Sequence, residues 1–143
     1  LHALVILLRL DEQQPLLSPA MRSQLIDYLR DVTETLARNQ HPDGFWDRHW
    51  PHHRPSSSES LQEEDDFASQ FIATSHPMEW WALAPAEVHP PRQVLIAAGQ
   101  WMVRAVEGLS QEEVIEYYPF LSHGARALAL WRNQEPWQVE LQP

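Results

Sequence analysis

The sequence predicts an all-α fold of alternating inner and outer helices joined as helical hairpins. Three observations predict it. Apolar residues recur at three- and four-residue spacing rather than in strict alternation, several helix starts carry recognisable capping chemistry, and two apolar segments repeat each other along the chain.

The first segment, LHALVILLRL, is apolar around nearly its whole helical circumference and is expected to be buried as an inner helix opening at His2. Neither a basic region before it nor a small-residue cleavage site after it favours a signal peptide. It reads as a helix already under way, so residues 1–143 are taken as one helical domain forming the C-terminal portion of a larger chain.

Ser18 followed by Pro19 is an N-cap with proline at the first helical position. Met21, Leu25, Ile26, Leu29, Val32 and Leu36 then form the buried stripe of an outer helix that ends near Asn39. A loop-rich insertion is expected over residues 40–66, holding His41, His49, His52 and His53 and the acidic run Glu63 to Asp66. A closed metal site is not expected in that loop, because the spacing of its histidines fits no established ligand pattern. The acidic run reads as a solvated segment.

His76-Pro77-Met78-Glu79-Trp80-Trp81 predicts a second inner helix beginning at the histidine, with proline in its first turn. Pro90 and Pro91 open an outer helix whose stripe runs from Val94 through Leu95, Ala98, Trp101, Met102, Ala105 and Val106 to a stop at Gly108. Ser110 and Glu113 form a capping box for a short helix ended by Pro119. Ser122-His123-Gly124 begins the last inner helix. It aligns with the Ser75-His76 helix at an offset of 47 positions, Ala129 falling on Ala82 and Leu130 on Leu83.

Composition narrows the functional classes. The chain has 143 residues, 43 % of them hydrophobic and seven of them Trp, which is enough for one cored domain. A net charge of −10, with all ten basic residues Arg, leaves no basic footprint for nucleic acid. No apolar run approaches the ~20 residues of a membrane span. Without cysteine there is neither a thiolate nucleophile nor a disulfide framework, and the compartment is not indicated. Phosphate-loop, dinucleotide, zinc-protease and nucleophile-elbow motifs are all missing from the sequence.

Leu36-x-x-x-Gln40-x-x-x-Gly44-x-Trp46 resembles the QW motif of the terpene and squalene cyclases. These belong to a superfamily of α/α toroids that also holds protein prenyltransferases and complement-type thioester domains. The resemblance implies part of an α/α toroid or a short solenoid, with Gln40 capping a neighbouring helix, Gly44 in the tight turn and Trp46 packing over the helix end. It does not extend to chemistry. The Asp-rich cyclase motif and the Cys and His zinc ligands of prenyltransferases have no counterpart here. A closed toroid needs more helices than this chain supplies, so the partners implied are the rest of its own chain or a second copy completing the barrel. His76-x-x-Glu79-Trp80 is also similar to sugar epimerases and glycosidases built on α/α barrels, whose inner helices present His and Glu at the pocket mouth.

If the inner helices run in one direction, their first residues meet at one mouth. His2, His76 and His123 then converge there with Glu79, while Trp80 and Trp81 supply apolar walls. The leading expectation is a ligand-binding module with its pocket at that mouth. No cofactor is implied, and a divalent metal at the histidines is not expected because the scaffold sets their spacing. One alternative is an enzyme in which His76 and Glu79, one turn apart, act as acid and base on a carbohydrate or a terpenoid-like substrate. Another is a structural repeat module that pairs with further repeats.

Overall fold

A computed structural model describes residues 1–47 and 67–134. The described residues are all-helical and contain no strand. Six α-helices follow in order: α1 (His2–Gln13), α2 (Pro19–Arg38), α3 (Phe67–Leu83), α4 (Arg92–Glu107), α5 (Gln111–Glu116) and α6 (Tyr118–Gln134). A 3-10 turn, Ala86–Val88, stands before α4. None of the helices is long and apolar enough to cross a membrane.

Local chemistry sets several of these boundaries. The Ser18 hydroxyl accepts from the Met21 amide at 3.3 Å, with Pro19 as the first residue of α2. Ser110 and Glu113 close a reciprocal capping box on α5. Pro91 opens α4 and Gly108 ends it.

The centre of the molecule is α3. Six consecutive residues, Pro77 to Ala82, are buried, so this helix is enclosed on all sides over its second half. α1, α3 and α6 run in the same direction. His2 meets His76 while Arg9 donates to the Leu83 carbonyl at 2.7 Å, and Phe67 meets Tyr117 while Trp131 donates to the Met78 carbonyl at 2.8 Å. α3 and α6 approach closely because Gly124 has no side chain. A Cβ there would lie 2.5 Å from Cε1 of Phe71.

Four sequence expectations need correction. α1 is not enclosed: only Val5 and Leu8 are buried, and Ile6 remains 48 % exposed. The helix packs on α3 along a single stripe, so its other apolar residues find no cover among the described residues. Met21 is likewise exposed, because the first turn of α2 extends past the core.

His76 does not begin a helix, since α3 starts at Phe67 and carries Pro77 in its interior. An interior proline removes the donor that the Ala73 carbonyl would have used. Burial of Phe71, Met78, Trp80 and Trp81 offsets that loss, at about 1.5–3 kcal/mol for each fully buried large side chain. His123, in turn, lies in the second turn of α6, because Pro119 is accommodated in the first turn of that helix rather than only ending α5. α6 buries one face, through Gly124, Ala127 and Trp131, and leaves the opposite face open.

Candidate functional site

The Gln40–Trp46 turn fastens α2 to α4 and α3. The Gln40 amide donates to the carbonyls of Gly44 and Val94, each at 2.9 Å, and so joins its own turn to the first turn of α4. Gly44 has φ +106, and a Cβ there would lie 2.3 Å from the Ala97 carbonyl oxygen. Glycine is therefore required twice, by conformation and by space. Trp46 is fully buried, and its indole N–H donates at 2.8 Å to the Leu36 carbonyl in the last turn of α2, which also accepts from the Asn39 backbone N–H at 3.0 Å. Its backbone N–H donates to the Thr74 hydroxyl of α3 at 3.1 Å.

The fixed α3 carries Glu79 into the interior, where it is 3 % exposed. Arg126 Nε donates to its Oε1 at 2.8 Å. Its Oε2 faces His123 Nδ1 at 3.4 Å and His2 Nε2 at 3.5 Å. The His2 pair is within ion-pair reach but lacks hydrogen-bond geometry, and that buried nitrogen has no hydrogen-bond partner among the described residues. His76 stands between the other two rings, with ring centroids 4.9 Å from His123 and 6.0 Å from His2, both edge-on. The structure thus gathers His2, His76, His123 and Glu79 from three helices.

Arg126 was not singled out by the sequence reading, although a signal for it exists. Glu79 and Arg126 stand at the same offset of 47 positions as His76 and His123. Because α3 and α6 pack in parallel register, His-x-x-Glu on one helix meets His-x-x-Arg on the other.

The electrostatics separate the histidines. The proton affinity of His76 is held below the ordinary value, first by loss of water around its packed side, then by the neighbouring His123 and His2 rings; the Glu79 charge opposes both effects. Its open side still faces solvent. His76 is therefore neutral at pH 7 and able to accept a proton. Glu79 acts on it through charge, while its oxygens are engaged with Arg126, His123 and His2.

A cavity of about 880 Å³ opens beside this cluster. Leu1 and His2 line it at the start of α1, Tyr28, Val32 and Leu36 from α2, and Phe120 from the start of α6. The α3 wall includes Ala73, His76, Pro77 and Trp80. The other expected site residues lie behind this surface. Trp81 is a core residue, fully buried against Trp46 and donating its indole N–H to Thr33 at 2.8 Å. Glu79 and His123 are not among the lining residues.

In the 40–66 segment, His41 stacks on Phe45 and faces Asp43 at 3.4 Å. His49, His52, His53 and the acidic run lie outside the described residues. Among the described residues no three His, Asp or Glu side chains form a group suited to a metal ion, and the Arg126 guanidinium already neutralises Glu79.

The described residues thus form an all-helical unit with an imidazole cluster beside a cavity. Comparison with protein families, with curated proteins and with solved structures finds no match to the chain.

Proposed function

We propose that the chain is a ligand-binding helical module whose pocket is the cavity beside α3. His2, His76 and Trp80 face the ligand, and Glu79, His123 and Arg126 hold the imidazoles from behind. The observation that carries this reading is the position of Glu79, a buried carboxylate that faces Arg126, His123 and His2 behind a cavity wall to which His2 and His76 contribute. Buried ion clusters stabilise a fold no better than apolar side chains of similar volume, which supports a role in binding.

The scaffold reading is a toroid-like array with α1, α3 and α6 as its inner set. Their common direction supports it, as does the fastening of α2 to α4 by Gln40 and Trp46. Exposure of Ile6 and Leu10 on α1 supports completion of the array by the rest of the chain or by a second copy.

A thermal-shift screen tests the pocket. Small molecules that stabilise the wild type are expected to lose affinity about tenfold or more in His76→Ala, and in Ala73→Trp, which adds an indole to the cavity wall. Hits that bind both variants as tightly as the wild type overturn the site.

The neutral state of His76 supports a second reading, an enzyme in which this imidazole accepts a proton from a carbohydrate or terpenoid-like substrate while Glu79 sets the surrounding charge. Turnover of any such substrate then disappears in His76→Ala while binding persists.

A further inference from the structure

Tyr28 and Phe120 line the cavity from α2 and from the first turn of α6, and they are 51 % and 36 % exposed. Other aromatic side chains pack ring against ring, as Phe67 does on Tyr117 and Trp46 on Trp81. These two meet no other aromatic ring among the described residues. Open ring faces on a concave wall are apolar surface that a ligand would cover, and they attract positive charge through the ring quadrupole.

The polar groups of the lining point to the same kind of ligand. With histidine counted as neutral, Asp47 is the one charged side chain among the described lining residues. The Gln70 amide donates to its Oδ1 at 3.3 Å, which orients the carboxylate without neutralising it. His76, neutral at pH 7, adds no opposing charge and is able to accept a hydrogen bond. His2 turns its Nε2 inward to Glu79, whose own charge is met by Arg126. Ser69 already has a partner. The wall is left with a negative charge beside open rings, and the net charge of −10 over the whole chain adds to the attraction for a cation. An anion would be repelled at Asp47, and an uncharged ligand would leave its carboxylate unanswered.

We propose that this cavity takes an organic cation with an apolar body, its positive group answered by Asp47 and by the ring faces of Tyr28 and Phe120. The inference rests on the pocket reading above and adds the charge and class of the ligand.

Benzyltrimethylammonium and neopentylbenzene share one shape, the first having a quaternary nitrogen where the second has carbon, and benzenesulfonate is an anionic counterpart. Each is titrated into the ¹⁵N-labelled whole chain and followed by the amide signals. Benzyltrimethylammonium is expected to bind about tenfold more tightly than neopentylbenzene, the scale of one charge facing another at a half-buried site. Benzenesulfonate is expected to bind more weakly than either. In Asp47→Asn, which keeps an acceptor for Gln70 and removes the charge, the preference for the cation shrinks to about threefold, the part that aromatic faces supply. Tyr28→Leu keeps apolar surface and removes one ring face, so it weakens cation binding about threefold and changes neopentylbenzene binding less.

Equal affinity for the cation and its neutral isostere in the wild type, with both lost in Ala73→Trp, overturns the cation class and leaves the pocket standing. Tighter binding of benzenesulfonate, lost in the same variant, does so too. A full preference for the cation that survives Asp47→Asn overturns the proposal as well, and so does the failure of all three compounds to move any signal at millimolar concentration. If benzyltrimethylammonium binds Ala73→Trp as tightly as the wild type, the pocket reading itself fails.

Discussion

Glu79 and Arg126 form an asymmetric pair. The carboxylate is buried, whereas the Arg126 side chain is 66 % exposed. Removing the arginine leaves a carboxylate without its guanidinium in the interior; neutralising the glutamate merely returns an arginine to water. Arg126→Ala is therefore expected to destabilise the protein by about 2 kcal/mol more than Glu79→Gln, since stranding a buried charge is the costlier change. Urea denaturation of both variants measures the difference, and equal costs would show that Glu79 does not depend on Arg126.

His76 sets a second expectation at this scale. The charged and titratable groups that act on it are His123 on α6, His2 at the start of α1 and Glu79 on its own helix. Folding lowers its proton affinity below the ordinary value of 6.5, so the folded state binds fewer protons than the unfolded one between the two values. The His76 contribution is fully present above pH 6.5 and is lost as the pH falls through the lower folded value. His76→Gln should flatten this acid-side loss in a stability series across that window. An unchanged slope would mean that another group is responsible.

The residue types of the site were legible in the sequence, because histidines recurring at the head of apolar segments are visible without coordinates. Which tryptophan faces the cavity was not. Trp80 and Trp81 are neighbours in sequence but about 100° apart around the helix, so one borders the cavity and the other fills the core. Choosing between them requires the rotation of α3, which its packing against α1, α4 and α6 determines.

Among the elements, α3 and α6 depend most on a single residue. In Gly124→Ala the new methyl would meet Phe71, which is 2 % exposed and held by Phe67 and Trp101. The ring has little room to withdraw. A cost of about 1–3 kcal/mol is expected from overpacking, despite the better helix propensity of alanine. Gly99→Ala provides the control, since its nearest neighbour would be Leu128 Cδ2 at 3.8 Å. There the helix gains about 0.5–1 kcal/mol. Chemical denaturation of the two variants should therefore shift in opposite directions, and a shared direction would contradict the close approach of α3 and α6.

Element boundaries divide by whether their cause is local. Caps at Ser18 and Ser110 rest on side chains within three residues of the amides they satisfy, so sequence shows them. The start of α3 rests on tertiary burial. Proline at position 77 points locally to a first helical turn, yet Phe71 and Thr74 before it are buried, and that packing carries the helix back to Phe67. His123 stands one turn into α6 for a local reason, since Pro119 fits the first turn of that helix.

At the scale of the whole molecule, three helices must hold correct rotation and register for one cluster to exist. His2 comes from the first residue of α1, His76 from the interior of α3 and His123 from the second turn of α6. The Gln40–Trp46 turn contributes at a distance, because it fixes α2 and α4 around α3 while Arg9 ties α1 to the end of α3. The all-helical class was legible from periodicity. Exposure of α1 was not, since an apolar circumference does not reveal how many neighbours a helix has.

The most direct test of the cluster is an NMR study of histidine ring protons in the wild-type chain. Ring-to-ring contacts are expected from His76 to His123 and from His76 to His2, whose centroids lie 4.9 and 6.0 Å away, together with a His76 titration below 6.5. Three rings without mutual contacts, with His76 titrating at the ordinary value, would contradict both the cluster and the pocket built upon it.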